Sequence, residues 1–225
     1  AVQFLLKEQG ALTANRTLYD GVRELSLIDR DAPAALALIA QAEPHTAAAA
    51  EQSNISEGDL SSLHSQRDGL LFTALYKIRK DKIAGAAKEV LATAAVITNP
   101  NLINAARHAI AATAGEDDIQ RLTESLGSEI AATRVVAVAG LAKVQGSEAA
   151  DRIADRLKDE DNEVQLAASI ALANLGDRRS LVGLGKLLDS DELQIRSRSA
   201  SALRKLTGKR FNYSAYKDPE ARAEG

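Results

Sequence analysis

The segment AARHAIAA at residues 105–112 is followed by VAVAGLAK at 136–143 and by AASIALAN at 167–174. Each begins 31 residues after the one before, and each places a small residue directly before a large aliphatic one. A fixed period of this length is typical of a solenoid built from repeated supersecondary units. The three segments therefore predict a fold, and they say little about chemistry because solenoids serve mainly as surfaces for partners.

Three columns of the repeat agree over four copies and describe the first helix of each pair. The columns contain the small residues Ala109, Gly140, Ala171 and Ala202, the large aliphatics Ile110, Leu141, Leu172 and Leu203, and then Thr113, Val144, Leu175 and Leu206. Positions three and four apart share one face of a helix, so each copy has an apolar stripe. We expect the large aliphatic column to be a set of equivalent buried sites, with the small residues where neighbouring helices come closest.

A second helix is predicted after each first helix, beyond a break at Gly115, Gly146 or Gly176. Its stripe has the same period and consists of Ile119, Leu122 and Leu126, then Ala150, Ile153 and Leu157, then Leu181, Leu184 and Leu188. From Asp68 a longer unit matches both stripes with an offset of 35 residues, at Leu71, Ala74, Leu75 and Ile78 and at Ala84, Ala87 and Leu91. The pattern predicts an all-α protein, a right-handed α-solenoid of antiparallel helix pairs.

The turns between pairs are rich in carboxylates, as in KDEDNEVQ at residues 158–165 and LDSDELQIR at 188–196. Carboxylates directly before a helix can cap it and meet the positive end of its dipole. Asp159, Asp161 and Glu163 alternate as calcium ligands do, but the glycine that such a loop requires is absent. We therefore interpret these three residues as solvated helix caps.

An acidic turn followed by Val or Ile, then Gln or Arg, a pair of small residues and an Ala-Leu-x-x-Leu helix resembles the short HEAT repeat, of the kind named after phycobiliprotein lyases. Residues 203–222, with Phe211, Tyr213 and Asp218-Pro219, resemble the terminal segment of many bacterial HEAT-repeat proteins, and the two aromatic rings are expected to cover the end of the solenoid. The resemblance implies an armadillo-like scaffold with three parts. These are a helical region or degenerate repeats at 1–67, HEAT-like repeats at 68–208 and a capping segment at 209–225.

Two local signals concern the N-terminal part. Asp31 and Pro33 predict a helix start, with a strong helix former at residues 34–42. Residues 45–66 are predicted to form one or two helices around a mobile loop, because Ser, Asn and Gly cluster at 53–62.

Composition excludes several functional classes. The chain has a net charge of −3, 3% aromatic residues and no Cys, so it lacks the basic balance of a general nucleic-acid binder and cannot form disulfides or thiolate metal sites. No run of residues approaches a membrane span. The lack of Met agrees with a processed or trimmed chain, and both a cytoplasmic and an exported location remain open.

No catalytic constellation is apparent, so we predict no enzymatic activity, no cofactor and no metal. His45, His64 and His108 lack metal-ligand spacing. The segment GLGK at 183–186 lacks the upstream glycine of a phosphate loop, and the period places it inside a second helix. We interpret it as structural.

The predicted function is the binding of a protein or peptide. The resemblance implies that the second helices line a concave face, where Gly183 shares a column with two arginines and the predicted binding residues are Arg121, Glu124, Arg152, Asp155, Arg156 and Lys186. The alternative is a phosphate or nucleic-acid site on a basic segment that contains Arg196, Arg198, Arg204, Lys205, Lys209 and Arg210. The low aromatic content and the acidic turns argue against nucleic acid, and the oligomeric state stays open.

Overall fold

The structure is a computed structural model that describes residues 11–42, 46–52, 56–209 and 212–217. Within these ranges the regular elements are helices, and no residue lies in a β-strand. The chain packs as two compact units, Ala1–Thr113 and Ala114–Gly225. The prediction of an all-α, HEAT-like helical repeat fold is confirmed. The handedness and the sequence boundaries at 67 and 208 stay predictions.

Unit 1 is organised around one long helix. Its helices are α1 (Ala11–Glu24), α2 (Leu27–Arg30), α3 (Ala32–Ala40), α4 (Ala47–Gln52), α5 (Glu57–Asp81), α6 (Ala87–Ala94) and α7 (Pro100–Thr113). Helix α5 packs against α1, α2, α3, α4 and α7, and its buried face includes the predicted stripe Leu71, Ala74, Leu75 and Ile78. Ala84 of the second predicted stripe is exposed, however, because α6 begins only at Ala87.

Two helix starts in unit 1 are set by side chains. The predicted cap at Asp31 is confirmed, since its Oδ1 accepts a hydrogen bond of 3.0 Å from the backbone N–H of Ala34. The predicted mobile loop is wrong from residue 56 onwards. The Ser56 hydroxyl accepts from the Asp59 N–H at 3.2 Å and donates to the Asp59 carboxylate at 2.7 Å, so α5 starts at Glu57, about three turns before Asp68, where the predicted unit begins.

Unit 2 contains helix pairs whose first helices stack in order. Its helices are α8 (Ile119–Ser125), α9 (Ala131–Val144), α10 (Ala150–Asp155), α11 (Asn162–Asn174), α12 (Arg179–Lys186) and α13 (Leu193–Thr207). The first helix α11 lies between α9 and α13, while the second helices α10 and α12 both pack against α11. The predicted breaks at Gly146 and Gly176 are confirmed, with φ of 55° and 74°, a conformation that a side chain disfavours.

The large aliphatic column forms buried sites in both units, as predicted. Ile110 lies in the core of unit 1, and Leu141, Leu172 and Leu203 lie in that of unit 2. The second-helix stripe is confirmed at Leu122, Ile153 and Leu184, which are fully buried. It fails at Leu181, which is 41% exposed. The last core cluster of unit 2 joins α11, α12 and α13 through Leu166, Leu184, Leu187, Ile195 and Leu203.

Candidate functional site

The second helices of unit 2 present a charged surface. Arg121 and Glu124 on α8, Arg152 and Asp155 on α10, and Lys186 on α12 are all exposed, because the apolar stripe of each helix turns the opposite side inward. We call these five residues, together with Val182 of α12, the second-helix face.

The charged groups of the second-helix face make weak or no contacts within unit 2. The Arg121 guanidinium lies 3.1 Å from the Asp118 carboxylate, Glu124 accepts from Gln120 at 2.9 Å, and Arg152 donates to Gln145 at 2.7 Å. Asp155 and Lys186 make no hydrogen bond or ion pair with any described residue. The contacts of Glu124 and Arg152 are exposed, so a partner can replace them at little cost, whereas Arg121 pairs with a carboxylate that is only 10% exposed.

Val182 and Leu181 add apolar surface that the sequence analysis missed. Val182 is 76% exposed and lies one turn before Lys186. Leu181 occupies the column in which Ile119 and Ala150 are half-buried. Among the described residues no second helix follows α12, so no further second helix covers this side of α12. An exposed aliphatic pair beside a lysine is suited to hold an apolar anchor of a partner.

Arg156 differs from the other predicted binding residues. It is half-buried, and its Nη1 donates a 3.1 Å hydrogen bond to the carbonyl oxygen of Leu126 in the preceding helix pair. The same nitrogen lies 3.8 Å from the Asp159 carboxylate. This geometry links two consecutive pairs through Nη1, while the side chain as a whole is 30% exposed.

Gly183 is not a surface position, although it shares a column with Arg121 and Arg152. It is buried, and a Cβ built on it would lie 2.3 Å from the Ser169 hydroxyl and 2.7 Å from a methyl group of Leu157. The closest approach of α12 to α11 therefore occurs at this glycine. The prediction that the GLGK segment lies inside a second helix is confirmed.

A repeated polar column holds the turns of unit 2; the sequence shows Gln or Arg at this position of the repeat but does not indicate its role. Arg134, Gln165 and Arg196 stand 31 residues apart near the starts of the first helices. Each reaches back to the preceding turn, where it donates to the carbonyl oxygen six residues earlier at 2.8, 2.6 and 2.7 Å, respectively. We call these three residues the turn-clamping column. Their regular spacing on otherwise apolar helix faces was the available signal.

Asp159 is not a solvated cap, so that interpretation was wrong. Its carboxylate accepts two hydrogen bonds from the Arg134 guanidinium, at 3.0 and 2.7 Å, and the two side chains are only 4% and 6% exposed. Asp161 does cap α11, since it accepts from the N–H groups of Glu163 and Val164 at 2.9 and 3.1 Å. Glu163 is half-buried and pairs with Arg198 of α13.

Two cations of the basic segment are engaged in contacts within unit 2. Arg196 clamps its turn and also donates to the Ala215 carbonyl at 3.0 Å, and Arg198 is paired with Glu163. Arg204, Lys205 and Lys209 remain exposed, and Arg210 lies outside the described residues. The Tyr213 hydroxyl donates to the Leu188 carbonyl at 2.6 Å and ties residues 212–217 to the last helix pair, while the expectation for Phe211 also falls outside the described residues.

The remaining candidates for chemistry lie in unit 1. His64 and Arg67 line a cavity of about 700 Å³ whose other charged groups are Asp68, Lys88 and Glu89, so its lining carries both signs. His45 lies outside the described residues. In the described ranges no three His, Asp or Glu residues are grouped as metal ligands would be, and no helix there has the length and apolarity to cross a bilayer.

Comparison with known families gives one match. The family model for HEAT repeats matches residues 127–204, which run from the turn before α9 to near the end of α13. Comparisons with curated proteins and with solved structures found no further match. Over residues 127–204 the chain is therefore similar to HEAT repeats, helical repeats that typically mediate protein interactions, and the stacked helix pairs of unit 2 agree with that similarity.

Proposed function

We propose that this HEAT-repeat protein is a non-catalytic scaffold, of the bacterial phycobiliprotein-lyase-like kind of repeat, and that the second-helix face binds a protein or peptide segment. The observation that carries the proposal is the combination of exposed charges with weak contacts and one aliphatic side chain, Val182, that is 76% exposed beside Lys186. Buried apolar anchors supply most of the affinity of an interface, and the surrounding charges fix the register and exclude wrong partners.

The charge pattern favours a protein segment over a polyanion. Arg121 and Glu124 lie on one helix, and Arg152 and Asp155 on the next, so cations and carboxylates alternate along the face. A nucleic acid would bring phosphates against both carboxylates, whereas a protein segment can present charges of both signs. A partner with one large aliphatic or aromatic side chain and flanking charges fits this arrangement.

The second candidate function is the binding of a phosphate or nucleic acid by the basic segment. It is supported by Arg204, Lys205 and Lys209, which are exposed near the end of α13 and just beyond it. Arg196 and Arg198 are engaged within unit 2 and Arg210 lies outside the described residues, so among the described residues three of the predicted six cations are exposed for this alternative. Non-specific binding of this kind weakens steeply with salt, because it releases counterions.

A site-specific photo-crosslinker tests the proposal. Benzoylphenylalanine at position 182 should capture a protein from the cells that make this chain, and the same probe at position 205 should not. With the captured partner purified, the double variant Arg152→Glu/Lys186→Glu should bind at least about tenfold more weakly. The matched control Lys205→Glu/Lys209→Glu should bind as the wild type does. Loss of binding in the control alone would favour the basic segment and refute the proposal.

A further inference from the structure

Two of the seven aromatic residues of the chain lie exposed and adjacent on α5. Phe72 and Tyr76 are 48% and 50% exposed, although most large apolar side chains of α5 are buried. Residues four apart are neighbours on a helix surface, with Cβ atoms about 5–6 Å from each other. Gly69 lies on the same side of α5, and a Cβ there would meet nothing within 4 Å. The two rings therefore form a continuous aromatic surface with open space beside it.

Cations surround the two rings. Arg79 and Lys80 follow Tyr76 by three and four residues, are exposed and make no ion pair with any described residue. Helix α7, which packs against α5, contains Arg107 and His108 and no carboxylate. Partial burial lowers the pKa of His108, and the positive charges of Arg107 and Arg79 lower it further.

The nearby carboxylates are already engaged. Asp81 accepts from Lys77 at 2.7 Å, and Asp68 accepts from the Asn99 side chain at 2.8 Å. Asp68 keeps its charge, because its partner is a neutral amide, and the two cations Arg79 and Lys80 outnumber it. This part of α5 therefore has a positive balance, although the chain as a whole has a net charge of −3.

We propose that this aromatic-cationic face, formed by Phe72, Tyr76, Arg79 and Lys80, is a second docking site that binds an acidic protein segment carrying a large apolar side chain. The apolar side chain packs on the two rings, where it removes exposed aromatic surface from water. Carboxylates on either side of it pair with Arg79 and Lys80. The two requirements together select for sequences in which Asp or Glu alternates with Leu, Phe or Trp.

A protein segment suits the face better than a single-stranded nucleic acid does. Nucleic-acid grooves combine successive stacking rings with a positive track for the backbone. Here the rings are confined to one turn of one helix, and Asp68 and Asp81 lie on either side of them along the chain. The cations also end with Lys80 and Lys82 at the end of α5. A short peptide does not need a longer row of cations than this one.

Selection from a library of random short peptides on the immobilised full chain tests the inference. The enriched peptides should be acidic and should contain at least one large apolar residue. Fluorescein-labelled synthetic copies should bind Phe72→Ser/Tyr76→Ser at least about tenfold more weakly than the wild type. Arg79→Glu/Lys80→Glu should lose a similar factor. Far-ultraviolet circular dichroism of each variant checks that the helices are intact.

The matched control carries equivalent changes on the exposed surface of unit 2. Tyr216→Ser/Lys205→Glu/Lys209→Glu removes one exposed ring and reverses two exposed cations, and it should leave the peptide affinity unchanged. The inference is overturned if no acidic, apolar sequences are enriched or if the enriched peptides bind Phe72→Ser/Tyr76→Ser normally. Binding that depends on Val182 and Lys186 instead would also overturn it while supporting the second-helix face.

A last measurement tests directly whether this face binds nucleic acid. A fluorescein-labelled oligothymidylate should bind the wild type weakly and bind Phe72→Ser/Tyr76→Ser equally weakly. Tight binding that falls steeply with salt and is lost in that variant would make the face a nucleic-acid surface and would overturn the inference.

Discussion

The turns and the second-helix face of unit 2 contain the same kinds of charged residues in different roles. Arg134 and Asp159 at the turns are buried and bonded to each other, and Arg134 also holds a backbone carbonyl. Arg152 and Asp155 on the second-helix face are exposed, and their side chains reach no backbone carbonyl of a neighbouring turn. The type of a charged residue and its place in the period thus do not show whether it is structural or available to a partner. The distinction depends on which backbone groups its side chain can reach.

Breaking the buried ion pair should have the largest effect. Asp159→Ala removes the buried carboxylate that accepts two hydrogen bonds from Arg134 and leaves its Nη2 only the exposed Glu160 carboxylate at 3.5 Å, so we expect a loss of about 3–5 kcal/mol in the free energy of unfolding. Asp155→Ala, only four residues earlier but exposed and unbonded, should change it by less than about 0.5 kcal/mol. Urea unfolding followed by circular dichroism measures both values. Equal losses in the two variants would show that burial of the pair contributes nothing.

The same contrast applies to apolar residues. Leu172 is fully buried on α11, so Leu172→Ala should destabilise the protein by about 2–5 kcal/mol through lost burial and a residual cavity. Val182 is exposed, and Val182→Ala should be close to neutral for stability. The midpoints of urea unfolding of the two variants give the comparison. A small effect at Leu172 would mean that the large aliphatic column is not the core.

Two glycines on α12 should respond in opposite directions. Gly183→Ala forces a methyl group against Ser169 and Leu157 and should cost about 1–3 kcal/mol. Gly185→Ala meets nothing within 4 Å and should stabilise the protein by up to about 1 kcal/mol, because alanine favours the helix. Thermal unfolding distinguishes the two. Stabilisation by both variants would contradict the close approach of α12 to α11.

The smallest expected difference concerns the two acidic turns. Asp161 caps α11 with two hydrogen bonds, so Asp161→Ala should cost about 1 kcal/mol. Asp191 precedes α13 without capping it, and Asp191→Ala should be nearly neutral. Their unfolding midpoints, measured side by side, check this. A larger loss at Asp191 would contradict the assigned caps.

The sequence predicted the features that depend on the helix period alone. Burial of Ile110, Leu141, Leu172 and Leu203 follows from a stripe that each helix pair repeats, and the glycine breaks follow from local backbone preference. The start of α5 at Ser56 was missed, because the polar residues of its first turns look like a loop until the cap is recognised.

The candidate site was predicted less well, since the exposure of each repeated position depends on the helices and backbone groups that surround it in the fold. Leu181 belongs to an apolar stripe, yet no second helix follows α12 in the described residues to cover it. Gly183 shares a column with two exposed arginines but faces Ser169. Arg134 and Arg156 act through backbone carbonyl oxygens, which a pattern of side chains does not display.

Hydrogen–deuterium exchange of the free chain and of the chain bound to its captured partner tests the proposed function most directly. We expect binding to slow exchange in α8, α10 and α12, while the amides of α13 around Arg204 and Lys205 exchange as in the free chain. Protection concentrated in α13, with the three second helices unchanged, would contradict the second-helix face as the binding surface.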